Sequence, residues 1–169
     1  MKSNTGAAVA RSRAPGRKLQ LMMNTRNDPY QARGKLHSPT VCPVCALVFS
    51  KGRWQQGDAP ADAPRAICPA CHRIRDKEAA GYVTIDGPFA YEHRSEILRT
   101  AHNFAERMGA EHPLQRIMSV DEGGDKVVIT TTDLHLAQGI GRALHHAFHG
   151  RLEYAYTESD YRLRVHWTC

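Results

Sequence analysis

This chain of 169 residues is long enough for one domain of ordinary size, and its 41% hydrophobic content supplies one modest core. Its formal charge of +6 is unevenly placed, because residues 1–41 carry +7 and the remaining 128 residues carry −1. No window approaches the ~18 apolar residues of a membrane span, and the first residues lack the apolar stretch of a secretory signal. We therefore expect a cytoplasmic protein without a membrane partner, although the Arg and Ser content would also suit a mitochondrial transit peptide.

The chain divides into three predicted regions. Residues 1–38 scatter Gly, Pro, Asn and Arg without a hydrophobic period, which predicts a basic disordered arm. Residues 39–80 contain four cysteines and a Pro- and Ala-rich loop, which predicts a small zinc ribbon. Residues 81–169 have regular hydrophobic periods and predict an α+β domain.

The third region begins with a predicted strand at 82–86 and an amphipathic helix at 93–109. Residues 114–120 and 126–132 flank a Gly-Gly turn and predict a hairpin. Thr132 or Asp133 then caps a second helix that ends near residue 149, and strands at 151–157 and 161–167 form a second hairpin. The first helix is expected to bury Ile97, Leu98, Ala101, Ala105 and Met108, and the second Leu136, Ile140, Ala143, Leu144 and Ala147.

The resulting order is β-α-β-β-α-β-β. It corresponds to the split β-α-β plan of a ferredoxin-like sandwich with one strand added. Many RNA-binding and ribosomal domains share this plan, but the fold alone establishes no function.

The cysteines form two Cys-x-x-Cys motifs, Cys42 with Cys45 and Cys68 with Cys71. Two residues between cysteines let one tight turn present both sulfurs to a single ion, and two such turns complete a tetrahedral shell. A closed shell leaves no position for water, which predicts one structural Zn²⁺. A redox pair or an iron–sulfur cluster are the alternatives, and His72 and Cys169 are expected to lie outside the shell.

The cationic arm is typical of proteins that bind nucleic acid, the alternative being a solubilising tail. Its Lys and Arg side chains suit phosphate, and neighbouring aromatic rings suit stacking on bases. Trp54 could instead cover the zinc ribbon. The predicted RNA-binding residues are Arg11, Arg13, Arg17, Lys18, Arg26, Tyr30, Arg33, Lys35, Lys51, Arg53, Trp54, Arg73 and Arg75.

Catalysis is not expected. The pairs Gly123-Gly124 and Gly139-x-Gly141 are not followed by the Lys-Ser/Thr of a phosphate-binding loop, so no nucleotide is expected. His145 and His149, with His135 or Glu153, could bind a second metal and support a metal-dependent enzyme. The alternative, a set of histidines on a polar helix face, leads us to predict no enzymatic activity and no small-molecule substrate.

Several unusual clusters occur in order along the chain, at residues 28–30, 39–45, 51–54, 68–74, 81–83, 112–118, 131–137, 140–144 and 164–167. In these clusters the chain resembles a family of small bacterial zinc-ribbon proteins named only after a Burkholderia locus tag (the BCAM-locus type) and often labelled "ATPase". The resemblance covers about residues 26–167. Ala46 and Phe49 stand where that family tends to have Gly and Tyr.

The Cys-x-x-Cys pairs followed by a helix-and-hairpin domain are more distantly similar to the N-terminal zinc region of the large-subunit export adaptor of the nonsense-mediated-decay type. That resemblance implies a ligand of the large ribosomal subunit. We therefore expect a ribosome-associated, rRNA-binding zinc protein that acts as a stress or hibernation factor, or in large-subunit assembly. The alternative is a zinc-ribbon DNA-binding or transcription-associated regulator, although no basic recognition helix is evident.

Overall fold

The computed structural model describes residues 10–12, 28–32, 34–157 and 159–169. Within them the chain forms two β-sheets and four helices, so the predicted α+β class is confirmed. No helix among the described residues is long and apolar enough to cross a membrane.

The cysteine-bearing region forms a small three-stranded sheet followed by a helix. Its antiparallel strands are β2 (Thr40–Val41), β3 (Val48–Ser50) and β4 (Arg53–Gln55), and its helix is α1 (Pro69–Asp76). Lys51 and Gly52 join β3 to β4 with φ angles of 53° and 81°. Positive φ at both turn residues matches the twist of a tight hairpin.

The second sheet has six strands in the order β1-β8-β9-β5-β7-β6. The strands are β1 (Ala10–Ser12), β5 (Gly81–Asp86), β6 (Ile117–Asp121), β7 (Val127–Thr131), β8 (Arg151–Thr157) and β9 (Arg162–Thr168). Three helices accompany this sheet: α2 (Pro88–Glu92), α3 (Arg94–Glu111) and α4 (Leu134–Phe148).

Strict alternation along the central strands places one face of the sheet against the helices. Val83, Ile129 and Val165 are buried in one cluster with Ile97 of α3 and Ile140 of α4. Both long helices therefore cover the same face, and the residues between the buried ones point to the other face.

A close approach of α4 to the sheet depends on Gly81. A Cβ at Gly81 would lie 2.4 Å from the Cβ of Ala137 and from Oγ1 of Thr131. Asp133 caps α4 as predicted, because its side chain accepts hydrogen bonds from the amides of His135 and Leu136. The helix therefore starts at a defined position directly after β7.

The predicted helix faces are largely confirmed. The first helix packs its predicted residues into the core, and it runs two residues beyond its predicted end at 109. Leu136, Ile140 and Leu144 of α4 are buried, but Ala147 is exposed. Ala147 lies within about 20° of Ile140 around the helix. It is nevertheless in the last turn of α4, after Leu144, the last buried residue of this helix, so the inclusion of Ala147 was wrong.

The strand order differs from the ferredoxin-like prediction in one respect. Strands β5, β7 and β6 follow the split β-α-β plan, with β7 antiparallel between its neighbours. The added strand is β9, and it does not lie at the edge of the sheet. It runs parallel to β5 and lies between β5 and β8. Leu163, Val165 and Trp167 of β9 are all buried, and the central position also pairs both backbone edges of this strand.

The predicted disordered arm also requires correction where the structure describes it. Ala10–Ser12 forms β1, which pairs with β8 at the sheet edge and sets Arg11 opposite Ala155. An edge strand offers unpaired backbone groups, and these three residues satisfy them. Residues 1–9, residues 13–27 and Arg33 lie outside the described residues.

Candidate metal centre and nucleic-acid interface

The first Cys-x-x-Cys motif is a tight turn between β2 and β3. The amide of Ala46 donates to the Cys42 carbonyl (2.9 Å), and the amide of Cys42 donates to the Leu47 carbonyl (2.8 Å). These bonds close the loop that carries Cys45. Ala46 completes the turn with a φ of 60°, a left-handed conformation that favours glycine.

The second motif begins helix α1. Cys68 is the N-cap residue, Pro69 occupies the first turn and Cys71 follows within it. The amides at a helix N-terminus carry partial positive charge, which favours thiolates there. The Cys68 amide also donates to Sγ of Cys42 (3.3 Å), which joins the two motifs.

The four sulfur atoms lie within 4.8 Å of one another, so Cys42, Cys45, Cys68 and Cys71 could hold one metal ion. Sγ of Cys45 and Sγ of Cys68 are 3.7 Å apart. Four sulfurs around a tetrahedral ion at ~2.3 Å would be about 3.8 Å apart, whereas a disulfide needs ~2.05 Å. The spacing therefore fits a shared ion.

Among the residues that the structure describes, these four cysteines are the one group of three or more His, Cys, Asp or Glu close enough to share an ion. The predicted alternative at His135, His145, His149 and Glu153 is thus not brought together. Nδ1 of His145 instead lies 3.1 Å from the Gly150 carbonyl oxygen.

Arg116 connects the cysteine cluster to the large sheet. Its guanidinium donates to Sγ of Cys45 (3.3 Å) and to Sγ of Cys71 (3.5 Å). Nε of Arg116 donates to the Pro113 carbonyl (2.8 Å), and its amide donates to Oγ1 of Thr132 (2.9 Å). The side chain is therefore held from the large domain and aimed at two of the four sulfurs.

The pKa values of the thiols depend on this contact. Burial opposes ionisation of Cys45, but hydrogen bonds from Arg116 and from the Leu47 amide outweigh it and lower its pKa to about 6. Burial raises the pKa of Cys68 and of Cys71 above the usual thiol range. These thiols must lose their protons before a metal binds, so a bound cation would be needed to keep them ionised.

Residues 28–30 dock on α1. Oδ1 of Asp28 accepts a hydrogen bond from Nη2 of Arg73 (2.5 Å), and the Arg73 guanidinium lies 4.4 Å from the centroid of the Tyr30 ring. The Tyr30 hydroxyl donates to Asp76 (3.2 Å). These contacts hold residues 28–30 of the arm against α1.

Two predicted RNA-binding residues occupy the interior instead. Arg73 is only 3% exposed because it is paired with Asp28, so it is not available to phosphate. Trp54 is 8% exposed and lies edge-on to Phe49 with ring centroids 5.5 Å apart, so it covers the ribbon, as in the alternative interpretation. Tyr30 is half-buried, with the Arg73 guanidinium over its ring.

Four other predicted contacts are on the surface. Their exposed cations extend from the arm across the ribbon: Lys35, Lys51, Arg53 and Arg75. Arg11 lies on β1, while Arg13, Arg17, Lys18, Arg26 and Arg33 fall outside the described residues.

Sequence reasoning missed Arg116 as a functional residue. It is 45 residues from Cys71 and 71 from Cys45, so no local spacing connects it to the motifs. The available signal was a lone Arg within the predicted strand at 114–120, and an arginine in that position is common in proteins without a metal site.

No protein-family model, curated protein or solved structure matches this chain. Its function is therefore argued from its own residues.

Proposed function

We propose that this protein is a non-enzymatic RNA-binding zinc protein that associates with the ribosome through rRNA, favouring the large subunit. Its role there is that of a stress or hibernation factor, or of a large-subunit assembly factor. The observation that carries the proposal is the charge asymmetry, with +7 on residues 1–41 and −1 on the rest of the chain. A concentrated cationic segment beside a neutral body is suited to a phosphate backbone.

The metal in this proposal is Zn²⁺. Four sulfur ligands that lie within 4.8 Å of one another suit zinc better than magnesium or calcium, which prefer oxygen. Four sulfurs leave no open position, so zinc would supply structural stability, not a reactive water. Cys42, Cys45, Cys68 and Cys71 would hold it, and the Arg116 cation would reduce the net negative charge of the centre.

The ribbon would act as a rigid platform beside the arm. Lys51 lies in the tight turn between β3 and β4, and Arg53 begins β4. Lys35 and Arg75 are exposed on other segments of the chain. The bond between Asp28 and Arg73 would hold the base of the arm next to these cations. Contacts of this type bind the RNA backbone and not its sequence, so affinity should fall steeply as salt rises.

Sedimentation of the tagged protein from stationary-phase bacterial lysate tests this proposal. We expect comigration with 50S or 70S particles at low salt, release at high salt, and loss on deletion of residues 1–27. The deletion stops before Asp28 so that the contact with Arg73 remains. Protein that stays at the top of the gradient at both salt concentrations contradicts the proposal, and retention on DNA in the same lysate would favour the DNA-binding alternative.

A further inference from the structure

Within the described residues, the helices beside the large sheet pack on one of its faces and leave the other uncovered. Helices α3 and α4 pack in a single cluster with the inward residues of β5, β7, β8 and β9. The outward residues of the same strands are half-buried or exposed.

A single row of side chains crosses the uncovered face from β8 to β6. In the strand register each residue of the row lies directly opposite the next, in the order Ala155, Arg164, Tyr82, Thr130 and Ser119. We refer to these five residues as the Tyr82 row. It contains an aromatic ring at its centre, a cation beside it, two hydroxyls and no carboxylate.

Two guanidinium groups flank the ring of Tyr82. The Cζ atoms of Arg162 and Arg164 lie 5.5 Å and 5.9 Å from the ring centroid. Arg164 is exposed, and Arg162 has one carboxylate partner, Glu78, at 3.2 Å. The Arg164 guanidinium is bonded only weakly to Oγ1 of Thr157 (3.5 Å), so it is available to a ligand.

The next row on the same face has the opposite character. Glu153, His166, Thr84, Val128 and Asp121 are paired across it, and Asp86 contacts His166 at 2.9 Å. Its carboxylates would repel a polyanion. A bound polyanion is therefore confined to the Tyr82 row and to the end of the sheet where Arg162 lies.

We infer that the uncovered face binds a single-stranded RNA segment, with one base stacked on Tyr82 and the adjacent phosphates held by Arg162 and Arg164. This inference rests on the proposed RNA-binding function and names a surface for it. An aromatic ring stacks on any base, and arginine suits phosphate through paired N–H donors. Single strands expose the base faces that such a ring needs, whereas a duplex does not.

Strand β1 connects this surface to the cationic arm. Arg11 is opposite Ala155 in the register, so the backbone of the arm joins the sheet at the end of the Tyr82 row. An RNA strand that follows the row toward β8 would reach β1, a segment of the arm. The charge of the arm and of the row thus favours the same partner.

The test is fluorescence anisotropy with a fluorescein-labelled 12-nucleotide RNA of mixed sequence, using the full chain. Tyr82→Ala should weaken binding by about tenfold because it removes a stacking platform. Tyr82→Phe, which keeps the ring, should bind within about twofold of the wild type. Arg164→Gln should weaken binding by about fivefold, and its matched control Arg99→Gln, which removes an exposed charge from α3, should not.

Zinc content and the thermal unfolding midpoint of each variant establish that it is folded. If the wild type binds RNA and ribosomal particles, and Tyr82→Ala and Arg164→Gln bind RNA with unchanged affinity, this inference is overturned. The proposed function is then unaffected. A wild-type protein that binds neither the RNA nor ribosomal particles overturns the proposed function, and the inference with it.

Discussion

Replacement of Arg116 by alanine removes the one described side chain from the large domain that donates hydrogen bonds to the cysteine sulfurs, at 3.3 Å from Cys45 and 3.5 Å from Cys71. A zinc ion with four thiolates has a net charge of −2, and Arg116 reduces it to −1. The substitution therefore leaves two thiolates with weaker support and a larger uncompensated charge.

The expected cost follows from these two bonds. A hydrogen bond to a charged group contributes about 1.5–3 kcal/mol to stability, and loss of such an outer contact typically weakens metal binding by about 10–100-fold. Both sulfur contacts are longer than an ideal bond, and water can partly replace them. We therefore expect the zinc affinity of Arg116→Ala to fall by about 30-fold, close to 2 kcal/mol. The zinc affinity of Arg116→Lys should lie between those of the wild type and Arg116→Ala, because an ammonium can bond well to one sulfur but not to both.

Competition with a chromophoric zinc chelator measures this change. Arg75→Ala is the matched control, since it also removes a cation near the cluster, from the helix that carries Cys71. The Arg75 guanidinium contacts Asp76 and His72 and not the sulfurs. Faster alkylation of the cysteines in Arg116→Ala than in the control would be the second expected result. Equal zinc affinity in Arg116→Ala, Arg75→Ala and the wild type would refute the reasoning.

Three further substitutions or titrations test other parts of the structure. Ala46→Gly should raise the unfolding free energy of the zinc ribbon by about 0.5–1 kcal/mol, because its φ of 60° strains any residue with a Cβ; a lower thermal midpoint would contradict this. Asp28→Ala should cost about 3 kcal/mol in urea unfolding because it leaves the buried Arg73 charge unpaired, and adding Arg73→Met should restore most of the loss. Burial raises the pKa of Tyr154 to about 12 and also raises that of Tyr161. Their contribution to stability is therefore complete below pH 10 and disappears as pH rises toward 12. In an absorbance titration these phenols should ionise only together with alkaline unfolding. Ionisation of both phenols in protein that is still folded would contradict this prediction.

Local patterns predicted much of the fold. The cap at Asp133 and the buried face through Leu136, Ile140 and Leu144 follow from helical spacing and capping chemistry. The cysteine cluster follows from two short motifs, because each motif forms its own turn. These features depend on residues within a few positions of one another.

Features that depend on distant residues were not predicted. The insertion of β9 between β8 and β5 depends on the pairing of β5 with a strand about 80 residues later in the chain, which strand periodicity does not measure. The burial of Arg73 depends on Asp28, 45 residues earlier in the chain. A basic side chain beside a zinc motif has the same sequence pattern whether it contacts RNA or forms an internal ion pair.

Ultraviolet crosslinking of the tagged protein in stationary-phase cells, followed by sequencing of the attached RNA, tests the central proposal most directly. The account expects reads concentrated at a few positions of large-subunit rRNA, and a strong reduction when residues 1–27 are deleted. Recovery of no RNA above an untagged control, or of messenger RNA without rRNA enrichment, would contradict it.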